Sequence, residues 1–565
     1  MQAKWELVES RPHEEIERLG KESNIPYTIA RILINRGIET PEQVERFFNP
    51  SNTHLHDPFL MADMDKAVER IIQALERRER IAIYGDYDVD GITAASMLYL
   101  FLKDLGGDVV SYIPDRQNEG YGISDSGIQE LARGGAALIV SVDCGITSIN
   151  EAKIATSQGI DLIITDHHEP GDAIPEALAV CDPKREDCGY PFKELSGVGV
   201  AYKITQGMIR RLHLDDEYSE KYLDLVALGS AADIVPLVDE NRVFVKLGLE
   251  KINTVPEVGL ASLIETACIK AGKIEVGDIV FGIAPRINAV GRLGSALRAV
   301  KLLTTRDRAS SRDIAMVLED ENRRRKDIDN TTLEEAVSEI ERTMNPADAR
   351  SIVLARDGWH PGVIGIVASR LIERYYRPTV MITIENGQGK GSARAIAKFD
   401  IYLALKACSD LLEQFGGHKY AAGLTIAAPN IPAFRERFEQ VCREMIPEED
   451  LVPKVRIESE ISLDEITPEV VASLKRFAPF GPKNNRPNFF SRGIDVLDVP
   501  RIVGSNHLKF RAGQGGVNFE AIGFNLGSRL PRLANGSRPI EMVYAIEENE
   551  YNNRKTIQLR IKDLR

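Results

Sequence analysis

From Arg80 onward the chain alternates short apolar runs with stretches whose apolar residues recur at helical spacing. The runs are IAIY (81 to 84), AALIVSV (136 to 142) and DLIIT (161 to 165), with ITAASMLYLFLKDL between the first two. This rhythm predicts βαβ units, hence a parallel sheet with helices on its faces. In such sheets ligands bind beyond the carboxyl ends of the strands. Acids stand at each of those ends: GDYDVDG after the first run, DCG after the second and DHHEP after the third.

The stretch from Asp307 to Met344 is dense in charge and holds no Gly or Pro. It predicts a connecting helix over 307–345, about 57 Å long, or two shorter helices with a break near Asn330. A second α/β unit follows over 346–450, with SIVLARD and TVMITI as strands and Gly-rich turns in GKGSARAI and FGGHKYAAG. From 451 to 565 the texture changes to short alternating runs separated by turns, such as HLKFRAG, VNFEAIGFN and TIQLRIKDL. That pattern predicts a small antiparallel barrel or sandwich. An N-terminal helical segment over 1–60 and a first α/β unit over 61–306 complete the expected organisation.

Composition narrows the class. With 565 residues, 43% hydrophobic and 28% charged, the chain is too apolar for disorder and long enough for three to four domains. Six cysteines without a C-x-x-C pair suggest neither a zinc ribbon nor a redox dithiol, and fit a reducing cytoplasm. The start MQAKWELVES lacks a basic segment followed by an apolar one, and no run of eighteen apolar residues occurs, so neither secretion nor membrane spanning is expected. The net charge of -14 argues at first against a nucleic-acid partner. Yet residues 451 to 565 carry 18 Lys and Arg against 13 Asp and Glu, leaving 53 against 72 for the rest. The negative excess lies where the acid motifs lie.

Asp86, Asp88 and Asp90 follow a strand at i, i+2 and i+4, where three carboxylates repel one another unless a cation neutralises them. An EF-hand does not fit: its twelfth position is Met97 instead of Glu, and a strand precedes the loop instead of a helix. Asp143 ends the second strand, Asp166, His167 and His168 end the third, and Asp233 closes YLDLVALGSAADIVPL. Any one acid after a strand is most simply a helix N-cap. Three acid clusters at three successive strand ends instead suggest convergent ligands. Oxygen-rich ligands with a minority of His suit Mn²⁺ or Mg²⁺, and their number suggests two ions, as in phosphoryl displacement.

YGDYDVDGITA (84 to 94), SVDCG (141 to 145), TDHHEP (165 to 170) and SAADIVPL (230 to 237) resemble the four motifs of the DHH phosphoesterase superfamily. Within it, the DHH core, long helix, second domain with GKGSARA and GGHKYAAG, and C-terminal oligonucleotide-binding (OB) type barrel resemble the bacterial RecJ exonucleases over nearly the whole chain. The resemblance implies an α/β fold: a parallel-sheet DHH domain joined by a long helix to a DHH-associated domain, plus an OB-type barrel. It implies 5′ to 3′ hydrolysis of single-stranded DNA to mononucleotides in recombination and repair, by a monomer served by a helicase and a single-strand-binding protein.

The resemblance puts two Mn²⁺ or Mg²⁺ ions at Asp86, Asp88, Asp90, Asp143, His167, His168 and Asp233. It makes His168, Asp166 and Asp86 catalytic, with Asp86 and His168 orienting other ligands or meeting the phosphate. DNA contacts are expected at Arg116 and Tyr121, in a segment that meets phosphate and stacks on a base, and at Arg286, Asn288 and Arg292 of PRINAVGRL. In the second domain Ser369, Arg370, Ser392, Arg394, Gly417 and His418 are expected around the 5′ phosphate. In the barrel Lys509 and Arg511 are expected on a basic groove with Phe510, Phe519 and Phe524, some of these filling its core. PFGPKNNRPNF (479 to 489) departs from the glycine-asparagine-proline turn of many relatives. Two rivals share the metal motifs or the fold: DHH enzymes acting on very short oligonucleotides or cyclic dinucleotides, which lack the barrel, and a silent DNA-binding scaffold, which has no use for so many carboxylates.

Overall fold

The computed structural model describes residues 3–115, 119–120, 122–215, 217–534, 539–551 and 554–565. The chain forms two compact units, one of Glu42–Arg323 with Arg476–Arg486, the other of Met1–Pro41, Arg324–Lys475 and Pro487–Arg565.

The first unit is built on a five-stranded, all-parallel sheet in the spatial order Asp108–Tyr112, Arg80–Gly85, Ala136–Val142, Asp161–Thr165, Ala179–Cys181. The chain leaves Arg80–Gly85 toward one edge and then crosses back to place Ala136–Val142 on its other side. The carboxyl ends of these two strands are therefore the topological switch point, where open α/β sheets bind ligands. The helix Val89–Asp104 is apolar around most of its circumference because it is buried on nearly every side. One hydrophobic core packs it with the helices Gly197–Leu212 and Leu223–Ala232 on one face of the sheet; a smaller core with Ile128, Ala152 and Ala155 covers the other. Arg242, from the helix Asp239–Thr254, donates to the carbonyls of Phe47, Arg476, Phe477, Ala478 and Pro479 and so fixes the segment 476–486 in this unit.

In the second unit a five-stranded mixed sheet runs Gln414–His418, Ala421–Ala427, Gln388–Arg394, Thr379–Glu385, Ile352–Asp357, with only the last pair parallel. The C-terminal sheet closes on itself, since Phe489–Val496 pairs with both Ile540–Tyr551 and His507–Gln514. The resulting ring of five strands carries one parallel pair, Val517–Gly523 with Arg554–Leu564. Closure removes the sheet edges that would otherwise seek partners.

One difference from the sequence reading concerns the N-terminal segment. The N-terminal segment is not purely helical: Lys4–Leu7 is a strand paired in parallel with Lys454–Ile457, and Trp5 packs on Phe490 and Val543 of the barrel. A four-residue strand whose partner lies some 450 positions away leaves no local periodicity to read. Of the two alternatives for the charged stretch, the structure has one unbroken helix, Arg308–Thr343, and the division between the two units falls within it after Arg323. Among the described residues no helix is long and apolar enough to cross a membrane.

Candidate metal centre

Each acid of the centre is set by the end of a secondary-structure element. Gly85 ends its strand and Asp86 follows; Asp88 then N-caps the helix Val89–Asp104, its Oδ1 accepting the N–H groups of Asp90 at 2.9 Å and Gly91 at 3.2 Å. Gly91 is required here, because a Cβ on it would lie 2.6 Å from the Asp86 nitrogen. Asp90, in the first turn of the helix, is buried and accepts the N–H groups of Gly197 (2.6 Å) and Val198 (2.8 Å) at the start of the helix Gly197–Leu212. Asp143 follows its strand in left-handed backbone, φ 62°. Asp233 ends Leu223–Ala232, and Ile234 after it is β-branched, 61% exposed and also left-handed at φ 62°. Such conformations cost about 1–3 kcal/mol and persist where surrounding structure imposes them.

The ligand atoms fall into three overlapping groups: Asp86, Asp88, Asp143; Asp143, His167, His168; and Asp90, His167, Asp233. All seven residues assigned to metal by resemblance therefore meet at one edge. His167 donates from Nδ1 to the Leu195 carbonyl at 2.9 Å, which turns Nε2 to within 3.1 Å of Asp143 Oδ1 and 3.7 Å of Asp233 Oδ2. Burial, with the neighbouring His168 charge, pushes the His167 pKa down to about 3, so the ring is neutral and its Nε2 carries a lone pair. Burial first, then Asp88, pushes Asp90 up to about 7 against the hydrogen bonds from Val198 and Gly197. Burial and the surrounding carboxylates likewise raise Asp143 and Asp233 well above the usual range. Among the described residues Asp143 Oδ1 and His167 Nε2, 3.1 Å apart, are buried without a hydrogen-bond partner. Carboxylates that cannot all ionise beside a neutral imidazole with an unused lone pair are a donor set that fits divalent cations.

Asp166 plays a different part. Its Oδ1 accepts the backbone N–H groups of His167 (2.8 Å) and His168 (3.2 Å) and the His168 Nδ1–H at 2.8 Å, while Oδ2 accepts the Ile146 N–H at 2.9 Å. Both oxygens of the carboxylate are thus engaged in holding the loop and the His168 ring. Burial alone would depress the His168 pKa, but the Asp166 hydrogen bond and charge outweigh it and push His168 up to about 9.

The remaining expected site residues are placed unevenly. Arg116 and Tyr121 lie outside the described residues. Asn288 and Arg292 are half-buried on the helix Ala284–Leu293, whose Gly291 packs against the Tyr87 carbonyl of the acid loop. Arg286 is 8% exposed and bound to Glu319 at 2.5 Å and to the Gly282 carbonyl, so its guanidinium is spent on packing. In the second unit Ser392 and Arg394 lie under the helix Pro361–Tyr375, where a Cβ on Gly365 would meet Arg394 Nη2 at 2.6 Å. Ser369 bonds back to the Gly365 carbonyl, and Arg370 pairs with Asp329 at 2.8 Å. Gly417, at φ 139°, leaves no room for a side chain, and His418 beside it is exposed. In the barrel Lys509 pairs with Glu520 at 3.2 Å, Arg511 is exposed, and Phe510 is core; Phe524 is 46% exposed between His507 and Arg560.

The sequence reading passed over Asp182 and Lys184, which follow the strand Ala179–Cys181 at the same sheet edge. A three-residue strand is too short to read as one. Asp182 is fully buried, its Oδ1 accepts the Lys184 N–H at 2.7 Å, Oδ2 has no hydrogen-bond partner among the described residues, and burial pushes its pKa up to about 7.

Comparison with known proteins agrees with this geometry. Three family models match in order: the DHH family N-terminal domain over residues 80–230, the DHHA1 domain over 348–444 and the RecJ OB domain over 457–563. Sheet, acid edge and matched domains define a phosphoesterase of the DHH class. The chain is 38% identical to the single-stranded-DNA-specific exonuclease RecJ of Bacillus subtilis, over 99% of this chain and 70% of that one. It is 32% identical to that of Escherichia coli, over 99% of both. The crystal structure of RecJ from Thermus thermophilus in complex with Mn²⁺ superposes with a TM-score of 0.86 at 30% identity, covering 100% of this chain and 79% of that one. The chain belongs to the RecJ family of single-stranded-DNA-specific exonucleases.

Proposed function

We propose that the chain hydrolyses single-stranded DNA from its 5′ end to 5′-mononucleotides at the Asp86–Asp233 centre, with Mn²⁺ or Mg²⁺. Relatives solved with each of these ions support that choice. The observation that carries the reading is the pair of buried ligand atoms, Asp143 Oδ1 and His167 Nε2, without a hydrogen bond among the described residues, at the switch point of the sheet.

Divalent ions bound there lower the pKa of water and offset the charge of the phosphoryl group. The protein's own part is to hold the groups in place. Leu195 fixes the His167 tautomer, the helix start at Gly197 and Val198 fixes Asp90, and Asp166 keeps His168 protonated and turned toward the centre. A cationic His168 donates to a phosphate oxygen and stabilises charge that grows in the transition state. Asp86 completes the ligand groups.

End selection belongs in this account to Arg116 and Tyr121, by phosphate contact and stacking, and to Ser392, Arg394, Gly417 and His418 around the 5′ phosphate. Stacking suits an enzyme indifferent to sequence. A cytoplasmic role in recombination and repair, with a helicase and a single-strand-binding protein supplying substrate to a monomer, completes the proposal. The test is digestion of 5′-labelled and 3′-labelled single strands beside a duplex. Early release of labelled mononucleotide from the 5′ label alone supports the reading. Release from the 3′ label first, or equal cleavage of duplex, overturns it.

A further inference from the structure

The turn after the fifth strand lies against the loop that carries the two histidines. The Cys181 carbonyl accepts the Asp166 N–H at 3.1 Å, and the Asp182 side chain closes the turn onto the Lys184 N–H. From there Lys184 reaches across, its Nζ 3.2 Å from Oε1 of Glu169, the residue directly after His168. Its charge acts on His167, Asp233 and Asp182. The next residue, Arg185, is also basic but is consumed in packing: it bonds Asp63 at 2.8 Å, Asp187 at 2.6 Å and the Val180 carbonyl. Of these two cations Lys184 is the more open, its side chain 21% exposed against 10% for Arg185, beside a Glu169 that is 71% exposed.

We infer that Lys184 is a phosphate-binding residue of the centre, its ammonium leaving Glu169 for a non-bridging oxygen of the scissile phosphodiester and remaining on that group as it becomes the 5′ phosphate of the shortened strand, for which 5′-dAMP stands in. The inference rests on the hydrolytic function proposed above. Seven aspartates gather at this edge, whereas two divalent ions and a cationic His168 bring five positive charges, so an approaching phosphodiester meets excess negative charge unless the protein adds cations nearby. Leaving Glu169 costs little, because an ion pair with so exposed a partner is weak in water. A lysine suits the task, since a compact charge on a flexible stem can follow the phosphate from substrate to product. The buried Asp182 and the pinned Arg185 hold the base of the side chain while its tip moves.

The experiment compares wild-type protein with Lys184→Gln, Lys184→Arg and Glu169→Gln. It measures kcat and KM on a single-stranded oligonucleotide, and binding of 5′-dAMP, deoxyadenosine and Mn²⁺ by calorimetry. Lys184→Gln should lower kcat/KM by about 10- to 100-fold, as for a lost hydrogen bond to a charged group, and should weaken 5′-dAMP binding by at least about tenfold on the same basis. Deoxyadenosine and Mn²⁺ binding should be unchanged, Lys184→Arg should restore most of the loss, and Glu169→Gln should tighten 5′-dAMP binding. Unchanged 5′-dAMP affinity in Lys184→Gln overturns the inference, as does a loss of Mn²⁺ affinity matching the loss of activity. Wild-type protein that fails to hydrolyse DNA would sink the hydrolytic reading instead, and the 5′-dAMP comparison would still decide the role of Lys184.

Discussion

Asp166 Oδ1 stands 2.8 Å from His168 Nδ1 while also accepting two backbone N–H groups of the same loop. One carboxylate thus fixes both the position and the charge of the imidazole. In Asp166→Asn the amide cannot accept at both oxygens, so the His168 pKa should fall from about 9 toward its ordinary 6.5, read by NMR titration of the ring. Activity should fall by about 10- to 100-fold, the usual effect of removing a group that orients an active-site residue. A His168 that titrates unchanged would show that the orientation comes from elsewhere.

Asp143→Ala removes the carboxylate shared by two of the three ligand groups. Hydrolysis should be abolished while single-strand binding through the barrel is largely retained, as fluorescence anisotropy with a labelled oligonucleotide would show. Full activity in this variant contradicts the assignment of the centre.

The acids should make the metal-free protein sensitive to pH with a definite sign. Burial raises the Asp90 pKa from 3.8 to about 7, so between those values the folded protein holds more protons than the unfolded chain. Stability therefore falls as pH rises across that window. Divalent ions reverse this by neutralising the ionised carboxylates, so the Mn²⁺-induced rise in Tm should be larger at pH 8 than at pH 6. Equal shifts at both pH values would show that the acids are ionised without metal.

Removing residues 451–565 whole is a poor test of the barrel, because Arg476–Arg486 belongs to the unit that holds the acids and is fixed there by Arg242. Point changes are cleaner. Phe524, exposed between His507 and Arg560, offers a stacking face, and Phe524→Ala should cost about 1–3 kcal/mol of single-strand affinity. The salt dependence should stay the same, since no charge is lost. Lys509→Ala should reduce the salt slope by about one phosphate contact. Equilibrium binding at several salt concentrations checks both, and unaltered affinity in both variants would remove DNA from this face.

Much of the centre was legible because its signals are local. An apolar strand followed at once by acids identifies a sheet edge without knowledge of the rest of the fold, and Asp86, Asp143 and Asp166 all carry that signature. Absence of Gly and Pro likewise allowed the helix Arg308–Thr343, although only the structure decides between one helix and two. What stayed hidden depends on distant partners. Arg286 reads as a phosphate grip until Glu319, from another helix, is seen to occupy it. Lys4–Leu7 becomes a strand only by pairing with Lys454–Ile457, and Lys184 gains its place from a strand of three residues.

The central claim, hydrolysis of single-stranded DNA by a two-ion carboxylate and histidine centre, is tested most directly by titrating Mn²⁺ into metal-stripped protein while following release of mononucleotides from a single-stranded oligonucleotide. The account predicts no release without metal and a rate that rises with more than first-order dependence on Mn²⁺ before it saturates. Undiminished release in excess chelator would contradict it.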